Sequence, residues 1–148
     1  MSRNVRDIFK ELQNKIDGKK AVVAVIGLGY VGLPMAMEFC RNGYSVIGLD
    51  SSKRRIEELK KKRSYITDIP SDAISGVLST GRFTVTSDDA VLATADAIII
   101  CVPTPLGKTH KPDVSYIVNV GKTLGQRVRT GQLIILESTT YPGTTEEM

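Results

Sequence analysis

The stretch that decides the fold is AVVAVIGLGYVG, residues 21–32. Six apolar residues run without a break into three glycines spaced G-x-G-x-x-G, which is typical of a buried parallel strand that turns tightly into a helix. Gly27 permits the turn, Gly29 leaves room for a pyrophosphate beside the backbone, and Gly32 lets the helix pack close to the sheet. The first amides of that helix lie at the positive end of its dipole and can bind a diphosphate. The stretch therefore predicts a dinucleotide site, with a plain glycine turn as the alternative.

Composition indicates one domain. At 148 residues and 41% hydrophobic, the chain is long enough for one well-cored domain and too short for two of ordinary size. The formal net charge is +4, and basic residues cluster at 53–55 and 60–63. We expect these residues to form a solvated helix face rather than a nucleic-acid patch. No apolar run approaches the ~20 residues of a membrane span, and the charged N-terminal segment differs from a signal peptide. A cytoplasmic protein with no nucleic-acid or membrane partner is expected.

The sequence gives little evidence for a metal site or for a catalytic nucleophile. Cys40 and Cys101 lie inside apolar segments, so we expect buried free thiols rather than a disulfide or a metal pair. His110 is the only histidine and lies in a polar loop, where an exposed residue is expected rather than a catalytic base. No metal-ligand spacing is present, so we predict no metal site.

The N-terminal segment, residues 1–19, is predicted to be an amphipathic helix. Apolar residues recur at helical spacing between charged ones and the pattern ends at Asp17-Gly18. Residues 20–148 form the second predicted unit, the dinucleotide-binding domain. The helix is interpreted as a packing appendage, with a dimer or interdomain contact as the alternative.

Strand-helix-strand units repeat along the rest of the chain. Strands are predicted at 45–50, at 82–86 near a sheet edge, at 97–102 as a fully buried strand, and at 133–136. Right-handed crossovers between them give a doubly wound parallel α/β sheet, a Rossmann fold with strand order 3-2-1-4-5. Ligands of such sheets bind where the strand order reverses, outside the carboxyl ends of the first and fourth strands.

Helices are predicted between the strands. The first runs from Val31 to Arg41 and is ended by Asn42-Gly43. Ser71-Asp72 is predicted to cap a short helix that runs to Leu78.

Asp50 ends the second predicted strand and lies 50 − 32 = 18 residues after Gly32. This is close to the ~20 residues expected for the carboxylate that binds the adenosine ribose hydroxyls. A carboxylate there would repel a 2′-phosphate, so NAD is favoured over NADP. Lys53, Arg54 and Arg55 weaken this inference, because a cation could compensate a phosphate. The alternative is that Asp50 caps the following helix.

Polar residues follow the fourth and fifth predicted strands. The fourth strand leads into Pro103-Thr104-Pro105-Leu106 and the fifth into Glu137-Ser138-Thr139-Thr140-Tyr141-Pro142-Gly143. Hydroxyls on both exits are predicted to face the nicotinamide end of a dinucleotide. The alternative for any one of them is that it simply satisfies turn backbone. Further on, Thr144 and Glu147 have capping-box spacing and predict the start of a helix. Because Met148 cuts this helix short, we expect the chain to be the N-terminal domain of a longer protein.

Several of these segments together resemble the UDP-glucose/GDP-mannose dehydrogenase family over residues 20–148. The resemblance rests on VIGLGYVGLP at 25–34, Asp50 with Arg55, CVPTPL at 101–106 and ESTTYPGTT at 137–145. It implies NAD as cofactor, with the cofactor-binding residues Gly27, Gly29, Tyr30, Val31, Gly32, Asp50, Arg55, Val102, Pro103, Thr104, Ser138 and Thr139. It also implies a supporting catalytic role for Thr139.

The activity that the resemblance implies is a two-step, NAD-dependent oxidation of a nucleotide-sugar alcohol to the acid, through a thioester on a cysteine. The last two segments look most like the branch that oxidises UDP-N-acetylhexosamines, typically UDP-N-acetylglucosamine, at C6. The family's cysteine nucleophile belongs to later segments, as do its helical and UDP-binding domains, so this piece alone is expected to be inactive. A UDP-sugar substrate and a homo-oligomer are expected of the full-length protein. A non-catalytic NAD-sensing module and a 3-hydroxyacid dehydrogenase remain as alternatives.

Overall fold

A computed structural model describes residues 4–105, 113–140 and 142–147 of the chain. Five strands form one sheet: β1 (Val22–Ile26), β2 (Ser45–Leu49), β3 (Phe83–Thr86), β4 (Ala97–Ile100) and β5 (Leu133–Leu136). The helices are α1 (Val5–Asp17), α2 (Gly32–Arg41), α3 (Lys53–Lys60), α4 (Ser71–Ser79), α5 (Ser115–Arg127) and α6 (Thr144–Glu147), with a 3₁₀-helix at Asp89–Thr94. None of the helices so described is long and apolar enough to cross a bilayer.

The sheet is parallel throughout, with the order β3-β2-β1-β4-β5. This confirms the predicted doubly wound α/β fold. At its carboxyl end β1 is paired with both neighbours, since Ile26 lies opposite Leu49 of β2 and Ile100 of β4. The chain order reverses between β1 and β4, so a crevice opens at their carboxyl ends.

Two apolar clusters cover the two faces of the sheet. Alternate residues of β1 enter different clusters: Val23 and Val25 join one, Ala24 and Ile26 the other. This follows from the two-residue repeat of a strand. A strand buried on both faces must be apolar at every position, which explains the uninterrupted run before the glycines.

The two edge strands differ in character. The β3 strand alternates buried and exposed residues and lies at one edge, as the sequence predicts. The β5 strand forms the other edge, and there Leu133, Ile134 and Ile135 are 40%, 43% and 37% exposed. An apolar strand with so much exposed surface is unusual for a sheet edge.

The predicted helices are present, but three begin at other residues than expected. Pro70, not Ser71, is the N-cap of α4, and it makes no side-chain capping bond. Thr144 is the first helical residue of α6 rather than its cap. The α2 helix begins at Gly32, with Val31 as its N-cap.

The N-terminal helix α1 contacts the amino ends of the strands. Lys15 Nζ lies 2.8 Å from Oδ1 of the buried Asp96, which immediately precedes β4. Arg129 Nη2 lies 3.2 Å from the same oxygen, and Oδ2 accepts the Val22 amide at 3.0 Å. The Tyr44 hydroxyl donates to the Ile16 carbonyl at 3.0 Å. The division into units 1–19 and 20–148 stays a prediction.

Candidate dinucleotide site

The glycine turn between β1 and α2 leaves no room for side chains at two positions. Gly27 has φ +92° and a Cβ there would lie 2.6 Å from the Cys101 carbonyl oxygen, while a Cβ on Gly32 would overlap the Gly27 carbonyl oxygen. Any L-residue with a side chain would be strained at both positions. At Gly29, in contrast, an added Cβ would meet no atom of the described residues within 4 Å. The first and third glycines are therefore required by the turn itself, and the second borders open space.

Four successive amides around the start of α2 are available to a ligand. Within the described residues, no protein acceptor receives the N–H groups of Gly29, Tyr30, Val31 and Gly32, and no side chain caps the helix. The next amide, of Leu33, donates to the Gly29 carbonyl at 3.1 Å. Free amides at the positive end of a helix dipole make an anion site.

Asp50 follows β2 and is only 5% exposed. Its Oδ2 accepts the Leu28 amide at 2.8 Å and Arg55 Nη1 at 3.2 Å, and its Oδ1 accepts the Ser52 amide at 2.8 Å. A carboxylate has about four acceptor positions, so protein donors leave part of its capacity for a ligand. Ser52, not Asp50, caps α3 by accepting the Arg55 amide. The alternative interpretation of Asp50 as a helix cap is therefore wrong.

Tyr65 belongs to the site although no sequence motif contains it. Its hydroxyl donates to the Leu28 carbonyl at 2.6 Å, and the Arg55 guanidinium carbon lies 5.7 Å from the ring centroid. Burial, and then the nearby Asp50 carboxylate, raise the pKa of the Tyr65 phenol. Tyr65 lies in the irregular segment between α3 and α4, where no periodic pattern marks it.

A cleft of about 890 Å³ opens at the carboxyl ends of the strands. Seven of the predicted site residues line it: Gly27, Gly29, Tyr30, Asp50, Arg55, Val102 and Pro103. The other walls are lined by residues outside the predicted set: Ser51, Ser52, Tyr65, Ile66, Ser87, Asp89, Leu92, Tyr116, Asn119, Val120 and Thr123. Arg54 also lines the cleft and is exposed. The open space at Gly29, the free amides and the buried carboxylate fit a dinucleotide.

The remaining predicted residues do not line the cleft: Val31, Gly32, Thr104, Ser138 and Thr139. Ser138 bonds the neighbouring exit, because its hydroxyl donates to the Val102 carbonyl at 2.8 Å. Thr104 is half-buried and Thr139 is exposed. Ser138 thus fits the alternative in which such a hydroxyl satisfies turn backbone, and it fastens the β5 exit to the β4 exit. Residues 106–112, with His110, and Tyr141 lie outside the described residues.

Both cysteines are free and buried, as the sequence predicts. Burial raises the pKa of the Cys40 thiol to about 11 and that of Cys101 to about 11. In Cys40 the nearby Arg82 opposes this effect, whereas in Cys101 the Glu137 carboxylate adds to it. A thiol that is protonated at neutral pH is a poor nucleophile. Across the described ranges there is also no cluster of residues that could hold a metal ion.

Comparison with known proteins identifies the family. Residues 21–148 match the model described as "UDP-glucose/GDP-mannose dehydrogenase family, NAD binding domain". The chain belongs to this family. NAD is therefore the cofactor of this domain, and the parallel sheet is the NAD-binding Rossmann domain of this family. The family assignment also rules out the alternative of a 3-hydroxyacid dehydrogenase.

Two of the similar curated proteins are named for different substrates, and a third name gives no substrate. CapL of Staphylococcus aureus is 41% identical over 125 residues, which cover 84% of this chain and 28% of CapL. A UDP-N-acetyl-D-mannosamine dehydrogenase of Pyrococcus horikoshii is 39% identical, over 85% of this chain and 30% of the relative. A UDP-N-acetyl-D-glucosamine 6-dehydrogenase of Salmonella typhi is 37% identical, over 84% of this chain and 28% of the relative. The chain thus spans less than a third of the length of these relatives.

Solved structures of family members share the fold. The UDP-D-ManNAc dehydrogenase of Pyrococcus horikoshii superposes with a TM-score of 0.80 at 38% identity, over 85% of this chain and 30% of that one. An NDP-N-acetyl-D-galactosaminuronic acid dehydrogenase from Methanosarcina mazei Go1 has a TM-score of 0.83 at 29% identity, over 100% of this chain and 32% of that one. The second match extends over α1, which precedes residues 21–148 of the family match.

Proposed function

We propose that this chain is the cofactor-binding part of an enzyme that oxidises the C6 alcohol of UDP-N-acetylglucosamine to the uronate in two NAD-dependent steps. The relatives named for this reaction and for UDP-N-acetylmannosamine support a UDP-N-acetylhexosamine as the substrate class. UDP-N-acetylmannosamine is the second candidate, because a relative at 39% identity carries that name.

The observation that carries the proposal is the pairing of free amides with a buried carboxylate across one cleft. In our proposal the amides at the start of α2 bind the pyrophosphate, and the open space at Gly29 admits it. Asp50 accepts hydrogen bonds from the adenosine ribose hydroxyls, and Arg55 lies on the adenine side. NAD supplies the hydride acceptor of the reaction.

The nicotinamide end is proposed to lie along the exits of β4 and β5. Val102 and Pro103 line the cleft there, and Ser138 holds the two exits together. We assign Thr104 and Thr139 to the nicotinamide ribose and the reacting centre, with a supporting catalytic role for Thr139. The cysteine nucleophile implied by the family resemblance is placed in the longer protein, so the 148-residue chain is proposed to bind NAD without turnover. Homo-oligomerisation and a cytoplasmic location stay predictions.

Calorimetric titration of the chain with NAD and NADP tests the cofactor assignment. The Asp50→Asn variant should bind NAD about 10- to 100-fold more weakly, because charge-assisted bonds to the ribose contribute on the order of 1.5–3 kcal/mol each. It should also discriminate less against NADP. The matched control is Asp68→Asn, which changes an exposed carboxylate that does not line the cleft. If Asp50→Asn binds NAD as tightly as the unmodified chain, the proposed ribose site is wrong.

Two activity measurements test the rest of the proposal. The isolated chain should produce no NADH from UDP-N-acetylglucosamine, and turnover by it would contradict the placement of the nucleophile outside these residues. The full-length protein should reduce two NAD per UDP-N-acetylhexosamine, and comparison of the two candidate sugars decides between them. A full-length protein that binds NAD but oxidises neither sugar would favour the NAD-sensing alternative.

A further inference from the structure

We propose that Tyr65 is a positioning residue of the cofactor site, which holds the Leu28–Gly29 peptide with its hydroxyl and the Arg55 guanidinium with its ring. This inference rests on the proposed binding of NAD by this chain. It concerns a residue 37 positions away from Leu28, outside every motif on which the family resemblance depends.

Leu28, the residue between the first two glycines, is held at three points. Its amide donates to Asp50 Oδ2 at 2.8 Å, and its carbonyl accepts the Tyr65 hydroxyl at 2.6 Å. Its side chain is fully buried and packs against Gly48 of β2. A side chain at position 48 would crowd it, since a Cβ there would lie 2.9 Å from the Leu28 methyl groups. The rotation of the Leu28–Gly29 peptide is therefore fixed from the carbonyl side by Tyr65.

The orientation of this peptide decides where the Gly29 amide points. In a trans peptide the carbonyl and the N–H point in opposite directions, and the described residues contain no cis peptide bond. With the Leu28 carbonyl turned towards Tyr65, the Gly29 N–H is turned away from it and has no acceptor among the described residues. Tyr65 thereby sets the direction of the first of the four free amides at the pyrophosphate position.

The ring of Tyr65 contacts Arg55, on the side of the site where Asp50 lies. The Arg55 guanidinium lies over it at 5.7 Å and pairs with Asp50 at 3.2 Å. Arg55 is 42% exposed as a side chain, and a long exposed side chain loses conformational freedom when it is held in one place. An aromatic face restrains a guanidinium by cation–π attraction. Leu28, Asp50, Arg55 and Tyr65 thus form a closed ring of contacts that links the pyrophosphate turn to the ribose carboxylate.

The Tyr65 hydroxyl keeps its role as donor at neutral pH. Burial and the Asp50 carboxylate raise the pKa of the phenol, and Arg55 opposes them more weakly. The phenol is therefore protonated whenever the site is in use, and no titration of Tyr65 interrupts the bond to Leu28.

The alternative role for Tyr65 is packing alone, since its side chain is half-buried against the apolar cluster that contains Leu28 and Ile66. The two roles differ in what they predict for ligands. Loss of packing lowers the stability of the unliganded chain, whereas loss of positioning lowers affinity selectively for ligands that carry the pyrophosphate.

The test uses Tyr65→Phe, which keeps the ring and removes the hydroxyl. Tyr44→Phe is the matched control, because the Tyr44 hydroxyl also donates to a backbone carbonyl, that of Ile16 at 3.0 Å, at the opposite end of the strands. For Tyr65→Phe, we expect the Kd of NAD and of ADP-ribose to rise about 3- to 10-fold, the effect of one hydrogen bond. The Kd of adenosine, followed by NMR titration, should change less than about 2-fold. Tyr44→Phe should leave all three values unchanged.

A second variant, Tyr65→Leu, removes the ring as well and should also weaken the binding of adenosine. In an Arg55→Ala background this additional loss for adenosine should disappear, because the ring acts through Arg55. If Tyr65→Phe lowers the unfolding temperature of the unliganded chain but leaves the ratio of ADP-ribose to adenosine affinity unchanged, the residue only packs and the inference is wrong. If the unmodified chain binds none of the three ligands, the proposed function fails and this inference fails with it.

Discussion

Gly29 and Gly32 belong to the same motif but are required for different reasons. A methyl group at Gly29 would project into open space, whereas at Gly32 it would overlap the Gly27 carbonyl oxygen. Gly29→Ala should therefore leave the free energy of unfolding within about 1 kcal/mol of the unmodified value and raise the Kd of NAD more than about 10-fold, because the methyl group occupies pyrophosphate space. Gly32→Ala should lower the stability by about 3 kcal/mol or more. Denaturant unfolding and calorimetry separate the two effects, and equal losses of stability would contradict the assignment of separate roles.

Asp96 is a buried carboxylate that affects the stability of the fold rather than the binding of a ligand. Burial raises its pKa, but hydrogen bonds from Lys15, from the Val22 amide and from Arg129 together outweigh burial, so the pKa lies below its ordinary value. A carboxyl whose pKa is lowered by folding stabilises the protein above its unfolded pKa, about 3.9, and this contribution is lost as the pH falls through the folded pKa.

The prediction is a difference in acid sensitivity. Between about pH 5 and pH 3, the unmodified chain should lose more stability than Asp96→Asn, which has no charge to lose. At pH 7 the variant should be less stable by about 1–3 kcal/mol, while its affinity for NAD stays the same. Parallel slopes of stability against pH for the two proteins would show that Asp96 is not the group responsible.

At the scale of elements, β4 and β5 have similar sequences but different environments. Ile99 and Ile135 lie opposite each other in the sheet, and they are 4% and 37% exposed. Ile99→Ala should cost about 2–5 kcal/mol, as expected for a core cavity, whereas Ile135→Ala should cost about 1 kcal/mol or less because part of its surface is already in water. Urea unfolding of the two variants measures the difference, and comparable costs would mean that β5 is covered in solution.

The order of the elements could be predicted from sequence because it depends on local patterns. Apolar runs before turn residues marked β1, β4 and β5, and Gly43, with φ +93°, ended α2 where Asn42-Gly43 predicted it. Helix starts were less predictable: Ser71 has the right chemistry for a cap, but its hydroxyl accepts the Ser64 amide instead. Whether the Ser71 hydroxyl caps its own helix or accepts the Ser64 amide depends on how the loop folds back. The spacing of residues in the sequence does not determine this.

The site was predicted where its residues lie in motifs and missed where they meet only in three dimensions. Asp50 and the glycines carry their spacing in the sequence. Tyr65 does not, because its partner Leu28 is 37 positions earlier. Ser138 differs from Tyr65 because the sequence did mark it as a site residue. Its bond to the Val102 carbonyl, 36 positions away, could not be predicted from spacing.

At the scale of the whole molecule, α1 and the cleft lie at opposite ends of the same strands. A chain that begins at Lys20 should bind NAD within about 2-fold of the unmodified affinity but be less stable by about 1–3 kcal/mol. The loss has several sources: Asp96 loses Lys15, the Tyr44 hydroxyl loses the Ile16 carbonyl and its ring loses Lys19, and the Ala21 amide loses the Lys15 carbonyl. Calorimetry and thermal unfolding measure both quantities, and a large change in affinity would show that α1 acts on the cleft. The control is the Val5→Ser, Phe9→Ser variant, which changes side chains that are 79% and 65% exposed and should leave stability nearly unchanged.

The burial of both native thiols makes selective labelling of this domain straightforward. Cys40 and Cys101 are the only cysteines in the chain, and both are buried, with their pKa raised to about 11. A cysteine introduced at the exposed Gln13 on α1 would be the one thiol that reacts readily with a maleimide at neutral pH. Because α1 contacts the amino ends of the strands and the cleft opens at their carboxyl ends, a dye or a solid support attached there would leave the cleft accessible. The domain could thus be immobilised in one orientation as a reagentless sensor for NAD.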